Sequence, residues 1–129
     1  MALTHSTTIR NALADLVVDA IDSGSTDATG DLQFGTAGLA IVLATLTFSA
    51  TAFGAAANGT ATANAITADT NAAATGTAAD FRIRDLDNNE ILSGSVSNVG
   101  GGGDIQLSST NINAGDTVSI TSLTYTAAP

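Results

Sequence analysis

A mainly β fold is what this sequence predicts: an antiparallel β-sandwich or jelly-roll-like domain preceded by one N-terminal amphipathic α-helix. Three observations carry that expectation. Apolar residues fall on every second position through most of Leu32 to Tyr125, as in Ala44-Thr45-Leu46-Thr47-Phe48-Ser49 and Val118-Ser119-Ile120-Thr121. Strand side chains point alternately to opposite faces, so this alternation describes strands with one dry face and one wet face. Clusters of Gly, Asn, Asp and Ser interrupt the alternation at short intervals, as the turns of an all-β domain require. Only the first twenty or so residues follow a three- and four-residue apolar spacing instead. The chain therefore divides into a helix and linker, residues 1–30, and a β domain, residues 31–129.

Taken in order, the helix is expected over Thr7–Asp22. Ile9, Leu13, Leu16, Val17, Ala20 and Ile21 share one face, Ser6 or Thr7 can cap the first amides, and Gly24 suits the residue after the end. Arg10, Asn11, Asp15, Asp19 and Asp22 lie mostly off that face. Ser23–Gly30 reads as a turn-rich linker. Strands are expected at Asp31–Gly35, Ile41–Ser49, Gly59–Ala68, Ala79–Asp85, Ile91–Ser97, Asp104–Ser108 and Asp116–Tyr125. In the last of these the odd spacing between Ile120 and Leu123 asks for a β-bulge near Thr121–Ser122. Leu86–Glu90 reads as a hairpin turn, and Asn98–Gly103 and Asn111–Asp116 as loops.

Composition narrows the function classes. Of 129 positions, 69 are Ala, Thr, Gly or Ser, and the large aromatics are Phe34, Phe48, Phe53, Phe81 and Tyr125. A core built from Ala methyls gains little from burial at about 25 cal/mol per Å². It is expected to be thin, or to be completed by a second copy of the chain. The face of Ile9, Leu13, Leu16, Val17 and Ile21 is the candidate interface, buried either on its own sandwich or on a neighbouring subunit. A charge at Leu13 or Val17 should then disrupt folding or assembly, whereas Asn11→Ala should be nearly silent. The net charge of −9, with Arg10, Arg82 and Arg84 as the only Lys or Arg residues, argues against direct nucleic-acid binding and against an anionic membrane. There is no Cys, so neither disulfides nor thiolate metal sites are available. Met1–Arg10 has no basic stretch ahead of an apolar one, and Leu32–Ala68 is too polar for a membrane span. Synthesis and assembly inside a cell are expected.

Reactive groups are few. Asp85-Leu86-Asp87-Asn88-Asn89-Glu90 places oxygens at alternate positions, as Ca²⁺ requires. It lacks the glycine and the distant Glu of an EF-hand, and Asp and Asn favour tight turns, so the turn is the better reading. Gly100–Gly103 precedes strand-like Asp104-Ile105-Gln106-Leu107, whereas a phosphate loop needs a following helix; a flexible loop is expected. His5, the only histidine, has no second imidazole for a metal. Asp85 and Asp87 share one exposed turn, which does not suit the two carboxylates of a glycosidase. Arg82 and Arg84 project from one strand face, opposite Phe81 and Ile83, and are expected to pair with carboxylates. No catalytic, cofactor-binding or metal-ligating residue is assigned, and the chain reads as a non-enzymatic surface.

From Leu43 onward the sequence resembles a group of small tailed-bacteriophage virion structural proteins. The resemblance rests on Leu43-Ala44-Thr45-Leu46-Thr47-Phe48-Ser49, Ala52-Phe53-Gly54-Ala55-Ala56, Gly59-Thr60-Ala61-Thr62-Ala63-Asn64-Ala65-Ile66, Phe81-Arg82-Ile83-Arg84-Asp85 and Ala114-Gly115-Asp116-Thr117-Val118-Ser119-Ile120. Arg10-Asn11-Ala12-Leu13 also fits. Members have a longer segment where this chain has Gly35–Leu39. These are strand patterns and carry no catalytic residues. The resemblance implies a virion component, made in the host cytoplasm. As a capsid decoration (cement) protein it would bind the major capsid protein on the capsid exterior as a homo-oligomer, a dimer or trimer. A tail or fibre component with a host-binding surface is the alternative.

Overall fold

A computed structural model describes residues 3–129. The fold is mainly sheet with one N-terminal helix. Helix α1 spans Thr7–Ala20, capped by Ser6, whose Oγ accepts the N–H of Ile9. It stops two residues short of the expected end, because Ile21 and Asp22 close back on Val18 and Asp19 with three-residue bonds. The strands are β1 (Asp31–Gly35), β2 (Val42–Thr47), β3 (Thr60–Thr62), β4 (Gly76–Thr77), β5 (Asp80–Arg84), β6 (Glu90–Asn98), β7 (Ile105–Leu107), β8 (Asn111–Ile112) and β9 (Thr124–Thr126). A 3₁₀ turn, Ala37–Leu39, links β1 to β2.

Five strands form the main sheet in the order β2-β1-β5-β6-β7, and β3–β9 and β4–β8 form separate two-stranded ribbons. Every pairing is antiparallel except β6–β7, which is parallel, so the main sheet is mixed where an antiparallel one was expected. Its register lines up Leu46, Leu32, Ile83 and Leu92 across four strands, and Ala44, Phe34, Phe81 and Gly94 beside them. These side chains share one face, and most of them enter the core. Leu32, Phe34, Leu43 and Leu46 are fully buried together with Val18 and Ile21 of the helix region. Phe48 and Phe53 meet at 5.8 Å in a tilted pair.

The opposite face is polar. Arg84 grips Asp31 through two bonds (Nε–Oδ1 2.9 Å, Nη2–Oδ2 2.6 Å), and Arg82 Nε donates to Gln33 Oε1, whose amide reaches Thr45. The two arginines do share a face; Arg84 meets a carboxylate and Arg82 an amide. Strand β1 is buried at every residue because this polar layer covers Asp31 and Gln33 on the wet side. Residues Thr67–Ala73 cover the outer edge of β2, where Thr47 exchanges bonds with Thr67 and Leu43 accepts from Ala73. That covering blocks edge-to-edge pairing.

The expected long strands at Gly59–Ala68 and Asp116–Tyr125 shrink to three residues each, extended by single bridges such as Asp69–Val118 and Phe53–Ala63. Thr121 makes a bend in place of the bulge. Bulges occur instead at Phe34/Gly35 and at Ile83/Arg84, where Ile91 is the extra residue. Ribbon β4–β8 has no alternation long enough to show in sequence.

Candidate functional site

The orientation of α1 decides what surface the protein offers. Three polar side chains pin the helix to a loop: Asn11 Oδ1 accepts the N–H of Gly59 (2.7 Å), Asp15 Oδ1 that of Ala56 (2.8 Å) and Asp22 Oδ1 that of Ala52 (3.0 Å). At about 100° per residue these lie with Ala14 and Val18 on one side of the helix. That side faces the protein, with Ala14, Val18 and Ile21 fully buried. The loop they hold has backbone donors that no strand satisfies, and leaving such donors buried and unpaired costs about 1–3 kcal/mol each.

The predicted apolar face is consequently turned outward. Ile21 is buried and Val17 half-buried, but Ile9 is 47%, Leu13 37% and Leu16 70% exposed. Docking of this face on the chain's own sheet does not occur, beyond Ile21. Asn11, expected on a silent surface, is part of the docking contact. The sequence held two apolar sides on one helix, and the polar residues of one side choose the docked face.

Beside the helix lies a cleft of about 350 Å³ between α1, the apolar face of the main sheet and β9. Val18, Phe81, Ile83, Leu92, Ile105 and Tyr125 line it, and the Asp104 carboxylate stands in its wall. Asp104 is occupied: it accepts the N–H and hydroxyl of Ser95. Tyr125, one of the few large aromatics, is half-buried here. The cleft had no sequence signal, since it joins residues from five separate elements.

The acidic groups show a common use. Asp85 and Asp87 do form a hairpin turn, with Asn88 at φ 65°, but Asp85 is buried in it and not exposed as expected. Asp85 Oδ1 accepts the N–H groups of Asp87 and Asn89, while Asp87 Oδ1 accepts from Ser25 N–H, Thr26 N–H and Thr26 Oγ1. Those bonds hold the Asp87 carboxyl below the usual range, the Ser25 N–H first among them. Asp69 holds Thr45, Asp80 holds Gly38, Asp104 holds Ser95 and Asp116 holds Asn113 in the same way. With Asp15 and Asp22, eight of the eleven aspartates accept a backbone N–H. A signal existed for this: eleven Asp against the single Glu90. The short Asp arm reaches nearby backbone and favours turns, where Glu does not. Asp22 differs from Asp87 in balance. Partial burial outweighs its bond from Ala52 and raises its carboxyl above the usual range, with Asp19 adding repulsion.

The glycine run is a tight reversal, not a flexible linker. Gly101 N–H bonds Asn98 O, Gly103 N–H bonds Ser97 Oγ and Gly100 N–H bonds Gln106 Oε1. Six residues thereby return the chain to pair β7 parallel to β6, where parallel neighbours usually need about twelve or more. Gly100 and Gly102 have φ of +87° and +83°, and a Cβ on Gly101 or Gly103 would meet Ser97 at 2.8 Å and 2.7 Å. Only glycine serves at all four positions. His5 lies against the other terminus, its Nδ1 2.7 Å from Pro129 O. Among the described residues, no helix is long and apolar enough to cross a membrane. Compared with known protein families, curated proteins and solved structures, the chain matches none.

Proposed function

We propose that this chain is a non-enzymatic structural protein of a tailed-bacteriophage virion. In this reading it is a decoration (cement) protein that binds the major capsid protein on the shell exterior as a homo-oligomer. One observation carries the reading: eight of the eleven aspartates are spent on the protein's own backbone, while an apolar helix stripe stands exposed. Such a division suits a module whose work is attachment. The sequence resemblance to small phage virion proteins supports it from a separate direction. We read the main sheet and the two ribbons as the layers of a distorted β-sandwich, the form that a many-copy surface protein can take without a catalytic pocket. Many weak contacts, repeated around the shell, add through multivalency.

The test is the copy number and location in purified virions. Hundreds of copies, with antibody label on the head, are expected. About a dozen copies or fewer would sink the shell role, because shell sites are multiplied by icosahedral symmetry. Label confined to the tail would move the protein to the tail.

A further inference from the structure

We infer that the outward face of α1 is the seam of a three-fold self-association, three copies packing their helices in parallel around one axis. The inference rests on the oligomer part of the reading above and names its partner: two further copies of this chain. Ile9, Leu13, Leu16 and Ala20 recur at four-three-four spacing, the a/d repeat of self-packing helices. Ala12 and the half-buried Val17 flank that repeat, so the apolar arc from Ala12 to Val17 spans about 140° at roughly 100° per residue, with its Val17 edge already partly covered by the chain itself. A two-helix seam needs only the narrow a/d stripe. An arc this wide fits a helix touched from two sides.

Area gives the same count. The 14 residues of α1 make a helix about 21 Å long and roughly 10 Å across. One facing pair closes over several hundred Å², on the order of a crystal-packing contact and short of the roughly 1,200 Å² where stable interfaces begin. Around a three-fold axis each helix meets two neighbours, and the area per chain doubles. The cationic residue nearest the stripe, Arg10, is turned inward over Gly59 and toward Ala127 O, so the seam has no basic flank for an acidic partner. Each copy carries a net charge of −9, so association is opposed by repulsion and must be driven by apolar contact.

Sedimentation equilibrium of the full-length chain tests this over a range of concentrations and salt. The expected species has three times the 12.6 kDa chain mass, and added salt strengthens it by screening repulsion. Leu16→Asp should give a monomer with an unchanged far-UV spectrum, since Leu16 is 70% exposed in the single chain. Ala12→Glu, at the edge of the arc, serves equally should Leu16→Asp fail to fold. Val99→Asp, at an exposed apolar residue off the helix, should leave the trimer intact. A wild-type monomer or dimer at every concentration, or a trimer that survives both helix substitutions, overturns the inference. A trimer that fails to bind undecorated capsids leaves it standing and overturns the shell role. A monomer that decorates capsids does the reverse.

Discussion

At the scale of single residues, the aspartates respond to pH in opposite senses. Asp87 has its folded pKa depressed, so its hold on Ser25 and Thr26 is fully present above the usual carboxylate value and is lost as pH falls through the lower, folded value. Asp87→Ala should lower the melting temperature at neutral pH, and the difference from wild type should vanish in strong acid. Asp22 is the reverse case. Its folded pKa is raised above 3.8, so stability falls as pH rises from 3.8 through the folded value, and the penalty persists at neutrality. Asp22→Asn keeps an oxygen for the Ala52 N–H and removes the desolvated charge. Thermal melts should place this variant at or above wild type at neutral pH, with no gain in strong acid. Arg84→Met leaves Asp31, only 8% exposed, without its ion partner. A loss of about 1–3 kcal/mol in urea unfolding is expected, less than for a fully buried pair because both side chains keep some exposure.

At the scale of elements, α1 carries two faces with different consequences. Val18→Asp puts a charge at a fully buried site and should cost several kcal/mol, enough to unfold the chain. Leu13→Asp should leave the circular dichroism spectrum and melting of the single chain nearly unchanged. Asn11→Ala strands the Gly59 N–H and should cost about 1 kcal/mol, as the loss of a helix cap does. Much of this architecture was legible. The helix register, the strand β1 and β5 alternation, the Asp85–Glu90 turn and the shared face of Arg82 and Arg84 all follow from periodicity and turn chemistry. Which face of α1 docks did not follow, because Asn11, Asp15 and Asp22 act through loop N–H groups more than thirty residues away or at that distance. The glycine run misled for a related reason: the composition of a linker and of a tight parallel reversal is the same until the neighbouring Ser97 is known.

For the whole molecule, irregular segments are held by side-chain acceptors where longer ladders are missing. Ribbons of two or three residues have few bonds of their own, and a two-stranded unit is marginal in water. The aspartates supply the fixed points between them, which gives the acidic composition a structural use. Cooperative acid unfolding monitored by near-UV dichroism and tyrosine fluorescence should therefore involve the linker at Ser25–Thr26 and the sheet together. The main sheet also joins β1 to β5 across 44 intervening residues. Such distant pairing places folding in the slow, millisecond-to-second class.

The placement of the three arginines has a consequence for proteolysis. Trypsin can cut only after Arg10, Arg82 and Arg84 in this lysine-free chain. Arg82 and Arg84 lie in β5, bonded on both sides by β1 and β6, so the peptide bonds after them become available only when the central sheet opens. Arg10 lies in the first turn of α1, where a local opening that frees its side chain from Gly59 and Ala127 O is enough. Digestion should thus proceed in two stages: an earlier clip after Arg10, then a slower one whose rate tracks the population of globally open chains. Ligands or neighbours that cover the helix would suppress the first clip, which turns a common protease into a reporter of that surface.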